Sequence, residues 1–232
     1  MKIGVFGDSF ANSKTPNNIW WKYLASNYQH DVECFGEAGS GLVFSARQIV
    51  DLYKNYDLVI WCVTSPNRLT VWHRSNFKEI AVHVTGRHHK SYPDPEIQEK
   101  INVAEQYLTQ VFDWPDGEFV GQCIMDFVKS KVPNLLIVPS FATPVYYNKD
   151  TIGFNLFDLC LKETAAYFPD GRGIAEIQDE YHDRRTGHFT TQTHQKLAEL
   201  ISKSLTPGIF TADYENFSRP VELFENIFTK LQ

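Results

Sequence analysis

The sequence predicts an α/β protein: a three-layer α/β/α, flavodoxin-like fold whose parallel sheet has about five strands, ordered 2-1-3-4-5 as counted along the chain. Three observations carry this expectation. The runs at 2–6, 58–63 and 134–138 are short, apolar and nearly continuous, as strands buried on both faces must be. Segments with helical periodicity separate them. Each run ends in a turn-forming stretch, and in an open α/β sheet ligands bind beyond the carboxyl ends of the strands.

A chain of 232 residues is long enough to bury one α/β core. Hydrophobic and charged contents of 43% and 22% are those of a globular protein. The net charge of −6 and the lack of a basic run argue against a nucleic-acid partner. No apolar run approaches membrane-spanning length, and strand residues begin at Lys2, so neither a membrane span nor a signal peptide is expected. Cys34, Cys62, Cys123 and Cys160 lie far apart without metal spacing and read as free thiols of a reducing compartment, which makes a cytoplasmic location the expectation.

In chain order, Ile3, Val5 and Phe6 form the first strand, which stops at Gly7-Asp8-Ser9. Ile19, Trp20, Tyr23 and Leu24 mark one face of a helix over 18–28, with Asn17 or Asn18 as its cap. A second strand at 31–35 runs into the glycine-rich turn 36–41, and a second helix is expected over 44–55. The third strand, 57–63, ends in Thr64-Ser65-Pro66-Asn67-Arg68.

An insertion of about 69–120 follows. Residues 71–85 show no clean period, 86–95 read as a loop, 97–112 as a helix and Pro115-Asp116-Gly117 as a turn. Coming directly after the third strand, the insertion is placed to form a lid or a substrate wall. His73, His83, His88 and His89 lie within it, but no two have ligand spacing with a carboxylate partner, so neither metal nor cofactor is expected. Trp72, Tyr92, Trp114, Tyr146 and Tyr147 fall in loop-like segments and read as loop packing or as a substrate surface.

Further along, 119–131 reads as a helix, 134–138 as the fourth strand, 154–167 as a helix and 173–177 as a short fifth strand. A last main helix covers 192–204, with Leu197, Ala198, Leu200 and Ile201 towards the sheet. These elements form a domain over 1–205. The tail 206–232 carries an amphipathic helix with Leu223, Phe224, Ile227 and Phe228 on one face, expected to pack on the domain or on a second subunit of a homo-oligomer.

Four of these stretches, taken together, resemble the conserved blocks of the SGNH (GDSL-type) hydrolase family, in particular some phage and bacterial members. Gly7-Asp8-Ser9-Phe10 after the first strand resembles the first block. Cys34-Phe35-Gly36-Glu37-Ala38-Gly39 keeps both glycines of the second, Asn-x-Gly-x-x-Gly, with Cys34 where Asn is usual. Ser65-Pro66-Asn67-Arg68 keeps the asparagine of the third, Gly-x-Asn-Asp, with Ser65 for Gly and Arg68 for Asp. Gly187-His188-Phe189-Thr190 resembles the fifth, where the acid usually stands three residues before the histidine; here position 185 is Arg and the nearest aspartate is Asp183.

The resemblance covers 1 to about 204 and implies an ester hydrolase. Ser9 would be the nucleophile, His188 its base and Asp183 the acid behind the imidazole, with a backbone carbonyl, Asp179 or Glu180 as alternatives. The oxyanion would be received by the N–H groups of Ser9 and Gly39 and the amide of Asn67, with Gly41 as the alternative to Gly39. It further implies a small-molecule or glycan ester as substrate, such as an acetyl ester on a carbohydrate. For a phage-encoded member, action in the virion or the host cell is also implied. Two rivals stay open: a catalytically degenerate binding or virion-associated module on the same scaffold, and O-acyl transfer by the same machinery. An α/β-hydrolase is excluded by order, since Ser9 stands at the start rather than in a mid-chain Gly-x-Ser-x-Gly elbow. Dinucleotide binding is disfavoured because Gly4-Val5-Phe6-Gly7 lacks Gly-x-Gly-x-x-Gly.

Overall fold

The computed structural model describes residues 1–14, 19–66, 68–75, 78–84, 94–112, 114–140, 156–157, 189 and 191–205. Its strands are β1 (Lys2–Gly7), β2 (Asp31–Cys34), β3 (Leu58–Val63), β4 (Leu69–Ser75), β5 (Lys78–Val84) and β6 (Leu135–Pro139). Its α-helices are α1 (Trp20–Tyr28), α2 (Leu42–Leu52), α3 (Pro95–Gln110), α4 (Trp114–Lys131) and α5 (Thr191–Ser204).

Four strands form one parallel sheet in the order β2-β1-β3-β6, with Val5 opposite both Cys34 and Ile60, and Ile60 opposite Leu136. That is the predicted order as far as the described strands run. Side chains of successive strand residues point to opposite faces, so β1, β3 and β6 each feed two separate cores. The edge strand β2 leaves Asp31 and Glu33 exposed and half-buries Val32 and Cys34. Ile3, Val5, Ile60, Cys62, Leu136 and Val138 bury one face together with α1 and α5. Phe6, Val59, Trp61, Val63 and Ile137 bury the other together with α2 and α4. The result is the three-layer α/β/α architecture that the sequence leads one to expect. Burial on both faces is why β1, β3 and β6 carry so few polar residues.

The covering helices use the expected faces. Ile19, Trp20 and Leu24 are fully buried, as are Leu197, Ala198 and Ile201 of α5. Helix α1 starts at Trp20, with Ile19 in the capping position and no side-chain cap. The Trp20 indole N–H donates to the Phe10 carbonyl at 2.7 Å, tying the helix to the turn after β1. Helix α2 starts at Leu42, two residues earlier than expected, after Gly41.

The insertion holds structure that its polar character concealed. β4 and β5 form an antiparallel hairpin outside the main sheet, with Leu69 opposite Val84 and Ser75 opposite Lys78. Helix α3 begins at a capping Asp94, whose carboxylate accepts from the Glu96 N–H at 3.0 Å, and Pro95 occupies its first turn. Its buried Ile97, Ile101 and Ala104 pack against Leu69 and Val71. Pro115-Asp116-Gly117, expected as a turn, is instead the first turn of α4. Proline suits a helix start, where its missing N–H would have no partner anyway. A Cβ on Gly117 would meet the tip of the Phe112 ring at 2.1 Å, so a side chain there would have to push that ring aside.

Leu156 and Phe157 are helical, within the helix expected at 154–167. The remainder of that helix, the expected loop 86–93, the expected strand 173–177, Tyr92, Tyr146 and Tyr147, and the tail 206–232 lie outside the described residues. Among the described residues, no helix is long and apolar enough to cross a membrane.

Candidate active site

The site grows from the end of β1. Gly7 has φ 135°, and a Cβ on it would lie 2.3 Å from the Cys62 carbonyl oxygen, so this position takes only glycine. The chain then turns through Asp8 into a one-turn 3-10 helix, Ser9–Ala11. Asp8 caps that turn: its Oδ1 accepts the Phe10 N–H at 3.1 Å. Ser9, half-buried, is the first residue of the turn.

Asp8 itself is fully buried, and an uncompensated carboxylate there would be costly. It is compensated from two other strands. Ser140, just past β6, donates its hydroxyl to Oδ1 at 3.0 Å. Arg68, past β3, donates from Nη1 to Oδ2 at 3.3 Å as an ion pair. One carboxylate, next in the chain to Ser9, therefore joins the carboxyl ends of β1, β3 and β6. Ser140 is held in turn by its N–H on the Val63 carbonyl and by its own carbonyl under the Phe157 N–H.

The glycine turn after β2 forms the second wall. The Gly7 carbonyl accepts both the Glu37 N–H and the Ser40 hydroxyl, each at 2.9 Å, which holds the turn against the end of β1. Gly36 has no room for a side chain, because a Cβ would meet the Ala11 carbonyl oxygen at 1.8 Å. Gly39 has φ 80°, a conformation natural to glycine. Among the described residues, no hydrogen bond takes its N–H.

Cys34 stands where the resembled family has asparagine. Its thiol donates to the Ala11 carbonyl, and burial pushes the thiol up to about 12. It fastens the serine-bearing turn to β2 as a neutral donor.

Ser9 and the Gly39 turn are thus brought together at the end of β1. Asn67, His188 and Asp183, with the alternatives Asp179 and Glu180, lie outside the described residues. Their chain neighbours are described. Pro66 and Arg68 flank position 67, and Arg68 reaches Asp8. Phe189 is fully buried, its ring 5.5 Å from that of Phe10 and 5.3 Å from the imidazole of the buried His194, which it meets edge-on. His194 joins this aromatic cluster from α5.

Sequence reasoning missed Arg68 and Ser140 as partners of Asp8. A signal was available: an acidic residue closing a fully apolar strand demands a counter-charge, and Arg68 replaces the acid usual in the third block.

Among solved structures, the chain is similar to an acetyl xylan esterase, with 13% identity, a TM-score of 0.48, and 89% of this chain and 100% of that one covered. It is also similar to a protein from Desulfitobacterium hafniense DCB-2 described as lipolytic and of the G-D-S-L family, with 11% identity, a TM-score of 0.39, and 87% and 98% covered. No protein-family model matches the sequence, and no curated protein matches it. By its strand order and its layers the fold is a three-layer α/β/α sandwich around a parallel sheet. The serine-bearing turn lies at the carboxyl end of its β1 strand.

Proposed function

We propose that the protein is a serine esterase that cleaves a carboxylic ester of a small molecule or glycan. In this reading Ser9 attacks the ester carbonyl while His188 takes its proton, near neutral pH, as imidazole can. Asp183 orients the imidazole and stabilises the imidazolium. The developing oxyanion is received by the N–H groups of Ser9 and Gly39 and by the Asn67 amide. His188 then returns the proton to the departing alcohol, and water repeats the sequence on the acyl-enzyme.

The observation that supports this most is the ring contact between Phe10 and Phe189. It ties the residue after Ser9 to the residue after His188, although the two are separated by most of the chain. The positive φ of Gly39, and an N–H that no described hydrogen bond takes, add to it.

The test is a panel of p-nitrophenyl esters of graded chain length together with acetylated glycans. Ser9→Ala and His188→Ala should each remove most of the activity while leaving the unfolding transition in place. Ester hydrolysis that persists undiminished in Ser9→Ala would end this reading.

A further inference from the structure

A pocket of about 240 Å³ opens between the start of α2, the end of α3 and the start of α4. We propose that it holds the acyl group of the ester, and that this group is an apolar chain or ring larger than acetyl. This rests on the esterase reading above and names its substrate class.

Position is the first argument. Leu42, a lining residue, opens α2 two residues after the Ser40 that is bonded to Gly7, so the pocket begins where the Gly39 turn ends. Arg68, another lining residue, directly follows Asn67. Lining residues thus follow the Gly39 turn and flank position 67 on both sides, Pro66 and Arg68. Arg68 belongs to pocket and site alike, because its guanidinium is the one paired with Asp8, the residue before Ser9. Its backbone closes against α2 so tightly that a Cβ on Gly41 would lie 2.6 Å from the Arg68 carbonyl oxygen.

Chemistry is the second. The far wall is Val111 and Phe112 at the end of α3 and Asp116, Gly117, Val120 and Gly121 on α4, apolar but for the Asp116 carboxylate. Val111 and Val120 are 68% and 53% exposed, and the lining Val43 and Tyr107 are 49% and 44% exposed. Large apolar side chains left in water at the rim of one pocket mark a place where apolar surface is to be covered. Size then selects the occupant. An apolar cavity of about 150 Å³ already admits a benzene ring, so this one has room for an aryl or medium-length alkyl chain. An acetyl group would leave most of the apolar wall against water. Gly121 makes part of that room, since a side chain at this helical position would enter the pocket.

The experiment compares kcat/KM for p-nitrophenyl acetate, butyrate, hexanoate and benzoate in the wild type, Gly121→Ala and Gly121→Leu. Each buried methylene should raise kcat/KM about fourfold until the pocket is full. The hexanoate-to-acetate ratio should fall stepwise in the two variants, by at least about tenfold in Gly121→Leu. The alanine variant keeps the test readable if leucine impairs folding. Binding of p-nitrophenyl hexanoate to Ser9→Ala, followed by calorimetry, gives a readout that needs no turnover. Binding without hydrolysis of any ester would overturn the esterase reading and leave the pocket assignment standing. Hydrolysis with a flat chain-length profile would overturn the pocket assignment alone. An unchanged profile with an altered molar mass in Gly121→Leu would make the pocket a protein-docking surface and overturn it as well.

Discussion

The ring of Phe10 packs against the ring of Phe189 with centroids 5.5 Å apart at an interplanar angle of 45°. Both rings are buried, and His194 closes the group from α5. Removing one ring opens a cavity in this cluster. Phe189→Ala should therefore cost about 3–5 kcal/mol of unfolding free energy, measured by urea denaturation. It should also lower kcat more than it raises KM, because it loosens the segment bearing His188 rather than a substrate contact. A loss below about 1 kcal/mol would mean that the contact does little.

Asp8 and Arg68 form the other cross-chain tie. Arg68→Met leaves a buried carboxylate with only its neutral donors and should cost about 3 kcal/mol. Adding Asp8→Asn removes the stranded charge, so the double variant should be more stable than the sum of the single losses predicts. A double-mutant cycle reads this directly, and additivity within about 0.5 kcal/mol would show that the pair is not coupled.

The acid behind His188 is tested by Asp183→Ala. If Asp183 orients the imidazole, the variant should lose activity by a factor approaching that of His188→Ala. If the loss is slight, Asp179→Ala and Glu180→Ala become the informative variants. A comparable set at Asn67 should be milder: Asn67→Ala costs about 3 kcal/mol in the barrier if its amide donates to the oxyanion.

The thiols give a pH dependence. Burial pushes Cys34 up to about 12 from an ordinary 9.0, and pushes Cys62 well above the same value. The folded state thus keeps protons that the unfolded chain releases above about 9. The stabilisation is complete below that pH and is lost as pH rises from 9.0 towards 12. Tyr56, raised by burial and by its hydrogen bond to Glu33, acts in the same direction. Urea midpoints measured across this range should fall steadily. Near pH 8 the exposed Cys123 should react with a thiol reagent well before Cys34 or Cys62.

What the sequence made legible follows from locality. β1, β3 and β6 were readable because burial on both faces writes itself as an unbroken apolar run. The face of α5 was readable from Leu197, Ala198, Leu200 and Ile201. The hairpin β4–β5 was not, since the polar runs His73-Arg74-Ser75 and Lys78-Glu79 break the short alternations Leu69-Thr70-Val71 and Ile80-Ala81-Val82-His83-Val84 apart. The start of α4 was hidden by Pro115 and Gly117, which signal a turn unless the helix begins there. In the candidate site, Ser9 and Gly39 could be placed from turn chemistry next to a strand. The partners of Asp8 could not, because Arg68 and Ser140 come from distant strands and only the fold brings them to it.

The sheet face formed by Ile3, Val5, Ile60 and Leu136 is covered by α1 and, from the far end of the sequence, by α5. During synthesis the serine turn is therefore made long before α5, the helix that completes this core. Until residues near 200 have been made, half of that face has no cover, and long-range closure must wait for them. Nascent chains halted before α5 should thus expose the sheet to chaperones. The activity proposed above should likewise appear only once α5 has been made.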